Sequence, residues 1–110
     1  MDTDKNTIPR PEECAVCPPH PGTLLKRQYL DAMGITIGSF ADRIGVSRKA
    51  MSMICNGRKR ITPEMALRLG KATGSRPGFW LDLQAAYDMW QVLHLKPGFL
   101  DRISRIAAAL

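Results

Sequence analysis

Acidic residues are almost missing from one stretch of this chain, and that shortage is more informative than the overall composition. Between Arg43 and Arg76 the only acid is Glu64, set against nine basic residues, for a local net charge of +8. The remainder of the 110 residues carries −2, so the formal +6 of the whole is concentrated in one segment. A field of one sign gathered on a small surface implies a polyanionic partner. Long apolar runs are also lacking: none approaches twenty residues, which excludes a membrane-spanning helix. The opening MDTDKNTIPRPEE has neither the basic start nor the apolar stretch of a secretory signal, so a cytoplasmic location is expected.

Catalytic chemistry is poorly supplied. There are two histidines, His20 and His94, with no nucleophile or carboxylate arranged beside them in a glycine-shaped pocket, and no phosphate-binding glycine loop. Neither an enzyme nor a cofactor is expected. Cysteine is limited to three residues. Cys14-x-x-Cys17 with His20 imitates a metal-ligand spacing, but structural zinc needs four ligands, and only distant Cys55 or His94 remains to supply the fourth. Cys55 reads as core and Pro18-Pro19 stiffen the spacing, so no metal is expected. A disulfide has little support in a compartment that keeps thiols reduced.

What the chain does have is the spacing of a helix-turn-helix, over TIGSFADRIGVSRKAMSMICNGRKR, residues 36–60. Ile37, Phe40, Ala41 and Ile44 recur at helical intervals. Gly45 suits the left-handed conformation that ends a helix, Val46 is an apolar bridge, and Ser47 caps a second helix running to Cys55. In that register Met51, Ile54 and Cys55 face inward, leaving Arg48, Lys49, Ser52 and Met53 outward. The second helix of such a motif enters the DNA major groove. Arg48 can donate two parallel bonds to guanine O6 and N7, Lys49 can reach a guanine edge or a phosphate, Ser52 can pair with several bases, and Met53 can touch a thymine methyl.

Around the motif the signals are all helical, and an all-α fold follows. Residues 1–19, with four prolines and few large apolar side chains, read as a flexible arm. Residues 20–92 form one domain. Pro21 opens a first helix with Leu24, Leu25, Tyr29 and Leu30 on one face, ending before Gly34. Thr36 caps the second helix, and Asn56-Gly57 closes the third. Thr62-Pro63 starts a fourth helix, with Met65, Ala66, Leu69 and Ala72 on its inner face before Gly74. Ser75 and Pro77 start a fifth, carrying Phe79, Trp80, Leu83, Ala86, Tyr87 and Trp90. Residues 93–110 form a C-terminal extension, in which Phe99, Leu100, Ile103, Ile106, Ala107 and Leu110 predict a short sixth helix. The aromatic face of the fifth helix exceeds what four short helices can cover, so Trp80, Leu83, Tyr87 and Trp90 are expected at a homodimer interface.

His20-Pro21-Gly22, the run Ile61 to Leu69 and the run Phe79 to Trp90 resemble the HigA antitoxins, a branch of the lambda-repressor and Cro-like, or xenobiotic-response-element, helix-turn-helix family. The resemblance covers roughly His20 to Trp90. It implies a five-helix lambda-repressor-like domain that binds double-stranded operator DNA as a dimer and represses its own operon. It also implies a HigB-like partner toxin, a ribosome-dependent messenger-RNA endonuclease that the antitoxin silences. By the same resemblance Ser47 and Asn56 bind phosphate, and Arg58, Lys59 and Arg60 grip the DNA backbone without reading bases. Two positions depart from the pattern. Ile37 stands where relatives often place a phosphate-binding glutamine, and Ser39 stands where a glutamate would complete a capping box with Thr36. A stand-alone repressor of the same fold, with no toxin, is the alternative.

Overall fold

The computed structural model describes residues 17–106, and within them every regular element is helical. Helix α1 spans Pro21–Leu25, α2 Ile37–Ile44, α3 Arg48–Cys55, α4 Pro63–Thr73 and α5 Pro77–Leu95. The local signals for these helices act as the sequence predicts. The amides of Ser39, Ala50 and Met65 donate to the hydroxyls of Thr36, Ser47 and Thr62 at 3.1, 3.0 and 3.2 Å, so each cap satisfies an otherwise orphaned N–H. With Ser39 in place of glutamate, the Thr36 cap has no reciprocal partner from a capping-box side chain. Gly45 ends α2 at φ 75°, a conformation that a side chain would strain.

The first helix differs from a regular α-helix. After Leu25 the chain widens into a π-helical stretch, Lys26–Asp31, before closing at Gly34. Leu25 and Leu30, five residues apart across that stretch, are both fully buried. Wider turns of this kind re-aim side chains within an otherwise continuous helix. α1 crosses α3 so closely that a Cβ on Gly22 would stand 1.6 Å from the Ile54 carbonyl oxygen. No larger residue fits there without moving backbone, which is the physical reason for glycine after His20-Pro21.

One core joins all five helices. Leu25, Leu30, Phe40, Ala41, Ile44, Met51, Ile54, Cys55, Ile61, Ala66, Leu69, Phe79, Trp80 and Leu83 form a continuous buried cluster. Each large side chain removed from water contributes about 1.5–3 kcal/mol, so its contents outweigh any surface interaction here. Trp80 sits at its centre with no exposure, and its indole N–H donates to Ser75 Oγ at 2.8 Å. That bond corrects the expected role of Ser75. The N-cap of α5 is Arg76, without a side-chain bond, and Pro77 follows at the first helical position. Ser75 is instead the polar partner that a buried tryptophan requires.

Two further expectations change at the C-terminus. Trp80 and Leu83, expected at a dimer interface, are 0% and 5% exposed, because α4 and α1 pack against the inner face of the first half of α5. Tyr87 is half-buried with His20 edge-on at 5.1 Å, and Trp90 stacks on His94 at 3.7 Å. The exposed apolar residues are Met89, Val92 and Leu95 of α5, followed by Phe99, Leu100, Ile103 and Ile106. Among the described residues the predicted sixth helix is one 3-10 turn, Phe99–Arg102, with no buried residue. A short turn that buries no residue lacks the tertiary contacts that stabilise most helices. The remainder of that segment, residues 107–110, and residues 1–16 of the expected arm lie outside the described residues.

Candidate nucleic-acid interface

α3 divides its side chains between two environments. Met51, Ile54 and Cys55 are buried against α1 and α2, whereas Ser47, Arg48, Lys49, Met53 and Asn56 are exposed and Ser52 is half-exposed. All the residues expected to read bases therefore share the outer face. Ser47 uses its oxygen to accept the Ala50 amide, leaving its hydroxyl hydrogen available to an external acceptor. Asn56 Nδ2 lies 3.4 Å from Ser52 Oγ, so these two polar side chains form a linked pair at the end of the helix. The stem of Arg48 lies across α2, its Cδ 3.5 Å from where a Cβ on Gly38 would stand. The arginine thus rests over Gly38, while Ile37, where a glutamine would brace it, packs against the core instead.

The basic residues also separate by partner. Among the described residues Arg48, Lys49, Arg58 and Lys59 have no carboxylate beside them, while Arg68 pairs with Glu64, Arg76 with Asp82 and Arg60 with Asp88. Arg68 also donates to the Ile44 carbonyl at 2.6 Å, satisfying the C-terminus of α2. Three of the nine basic residues in the +8 segment are thus occupied within the molecule, and Arg60 is one of those expected to hold DNA. The unpaired charge is concentrated on α3 and the loop after it. Arg43 and Lys71 are unpaired too, flanking a separate groove with Ile44 and Leu67.

That loop is held from behind by residues to which sequence alone assigns no part in the DNA surface. The close of α3 is a Schellman turn, with Arg58 N–H donating to Met53 O at 2.8 Å and Gly57 N–H to Ile54 O at 3.0 Å. Gln84, 2% exposed, accepts the Ile61 amide at 2.8 Å and donates to Asp88 at 3.1 Å, and Asp88 in turn holds Arg60. His20 closes the arrangement from the other side. It accepts the Gly22 amide on Nδ1 at 2.9 Å as the N-cap of α1, and its ring lies against Gly57 at the end of α3. Burial pushes its pKa below the usual histidine range, opposed by the nearby Asp88 carboxylate. Ile61 and Gln84 lie 23 positions apart, and Arg60 and Asp88 28, so only the folded chain brings them together.

No group of three or more potential metal ligands occurs among the described residues. Cys14 lies outside them, Cys17 accepts a weak bond from Gln91 at 3.7 Å, and Cys55 is buried, its thiol pKa raised by desolvation. Likewise, no helix among the described residues is long and apolar enough to cross a membrane.

Residues 26–80, half of the chain, match the family described as Helix-turn-helix. The chain belongs to that family. It is a family of DNA-binding regulators and antitoxins, not of enzymes. Among this chain's helix-turn-helix relatives, Virulence-associated protein A' of Dichelobacter nodosus is 51% identical over 76 residues, 68% of this chain and 65% of that protein. Antitoxin HigA-1 of Vibrio cholerae is 41% identical over 69 residues, 63% of this chain and 65% of that protein. The chain therefore spans just under two thirds of the length of these relatives. Among solved structures, antitoxin GraA in complex with its operator superimposes with a TM-score of 0.76 at 28% identity, over 87% of this chain and 98% of that one.

Proposed function

We propose that this chain is a HigA-like antitoxin that binds operator DNA as a dimer, represses its own operon and neutralises a HigB-like messenger-RNA endonuclease. The observation that carries the DNA reading is the outer face of α3, where Arg48 and Lys49 stand unpaired on a rigid helix whose inner face is locked into the core. Such a helix presents bidentate donors at the depth of the major groove. Arg48, Lys49, Ser52 and Met53 are assigned to bases. Ser47, Asn56, Arg58 and Lys59 are assigned to phosphates, as is Arg60, which must share its guanidinium with Asp88. Residues 20–92 constitute the DNA-binding domain and 93–110 an extension of it.

A second copy covers the exposed apolar face of α5. A groove of about 590 Å³ lined by Asp88, Met89, Val92, Leu93, Phe99 and Leu100 opens there, continuous with Leu95 and Ile103. Contiguous apolar surface of this kind is costly in water and marks association. Pairing through it gives two recognition helices a two-fold relation, suited to major grooves about 34 Å apart and hence to a palindromic site.

Operator binding and toxin neutralisation use separate surfaces, the second on α1 or the N-terminal arm. Arg48→Ala with Lys49→Ala is therefore expected to abolish operator binding in a gel shift while still rescuing growth against the neighbouring toxin. Co-purification of that toxin with the intact chain, the double variant and a truncation starting at Pro19 tests the assignment. If no adjacent toxin exists, or none co-purifies with the intact chain, a stand-alone repressor takes its place.

A further inference from the structure

We propose that Gln84 and Asp88 of α5 are positioning residues that hold Arg60 in place for the DNA backbone, so that the Arg60–Asp88 pair assists the expected phosphate contact and does not compete with it. The proposal rests on the DNA-binding reading above and extends it to two side chains on a helix that carries no expected DNA contact. Gln84 is 2% exposed, and both ends of its amide are used: Oε1 accepts the Ile61 N–H at 2.8 Å, and Nε2 donates to Asp88 Oδ1 at 3.1 Å. The other carboxylate oxygen, Oδ2, accepts from Arg60 Nη1. Gln84 therefore grips the loop twice, directly at the Ile61 backbone and, through Asp88, at the side chain one residue earlier.

Two opposing effects decide what the pair does for DNA binding. Asp88 offsets some of the positive charge of Arg60, but that side chain is 67% exposed, so water and salt screen the loss. The larger effect is order. A long exposed arginine gives up rotamer freedom when it meets a phosphate, and a carboxylate already fixed by a buried glutamine takes up much of that loss before DNA arrives. Asp88 engages Nη1 alone, which leaves the donors on Nε and Nη2 of the guanidinium for an external acceptor. Among the described residues Arg58 and Lys59 have no carboxylate beside them. They bring charge to the loop, whereas Arg60 brings charge at a fixed position.

A double-mutant cycle reads the role by its sign. In fluorescence anisotropy with one synthetic duplex at one salt concentration, Arg60→Ala should weaken binding roughly 3- to 10-fold in the wild-type background and no more than about 2-fold in the Asp88→Ala background. The cycle cancels the gain that Asp88→Ala brings by deleting a negative charge near a polyanion, and any effect of that change on the α5 groove, which Asp88 also lines. In the free 15N-labelled protein the Arg60 Nε–H should give the heteronuclear NOE of an ordered side chain, and Asp88→Ala should lower it with the helical circular dichroism unchanged. Gln84→Leu should lower it as well, because the buried amide acts through the carboxylate. Should the leucine variant unfold, Asp88→Ala decides alone. An Arg60→Ala loss that grows when Asp88 is absent would make Asp88 a competitor for the arginine and overturn the proposal, as would equal losses in both backgrounds. If no duplex binds even to the wild type, the DNA reading fails, and the NOE still settles whether Asp88 holds Arg60: an Arg60 Nε–H as mobile as that of Arg58 would show that it does not.

Discussion

The two halves of α5 carry similar side chains and meet opposite environments. Phe79, Trp80, Leu83 and Ala86 are buried beneath α1 and α4, whereas Met89, Val92 and Leu95, on the same helix at the same kind of spacing, stand in solvent. Helical periodicity identifies an apolar face but does not say what covers it. α3 shows the contrasting case: its buried and exposed faces differ in chemistry as well as position, so its orientation follows from sequence alone. An apolar face can be read for direction only where its opposite face is polar.

The comparison predicts graded consequences. Trp80→Ala should be the most damaging change, costing about 3–5 kcal/mol in a urea melt, because it empties the centre of the core and removes the indole's bond to Ser75. A cost below that of a surface substitution would mean that α5 is not anchored by its first half. Gln84→Leu should cost about 1–3 kcal/mol, since the buried Ile61 amide loses its acceptor. It should also lower duplex affinity by releasing Asp88 and the loop; unchanged affinity would separate the buried network from the DNA surface. Met89→Ser with Val92→Ser should change the stability of the isolated fold by no more than about 0.5 kcal/mol each, as exposed positions do. The same pair should convert the proposed dimer to monomer in sedimentation. A variant that stays dimeric would place the contact between copies elsewhere.

Legibility in the sequence tracked the range of each interaction. Thr36, Ser47 and Thr62 act on amides three positions away, so their roles could be read directly. Gly45 was equally plain. Ser75 looked like another cap but answers to Trp80, whose burial depends on helices that no local pattern describes. Gln84 and Asp88 carried no motif as site residues, because each acts across the gap between α5 and the loop. The division of α3 into a buried and an exposed face was legible from periodicity, and the pairing of Arg60 was not, since Asp88 lies 28 residues away. The C-terminal periodicity was real, but without a covering surface it produced one 3-10 turn.

The central claim, that the outer face of α3 reads DNA sequence, is tested most directly by Arg48→Ala. Wild type and variant are titrated at one salt concentration against the duplex upstream of the chain's own reading frame and against a scrambled duplex of equal length. The account predicts a loss of about 1–3 kcal/mol on the native duplex and a much smaller loss on the scrambled one. Equal losses on both would assign Arg48 to phosphate and contradict base reading from this helix.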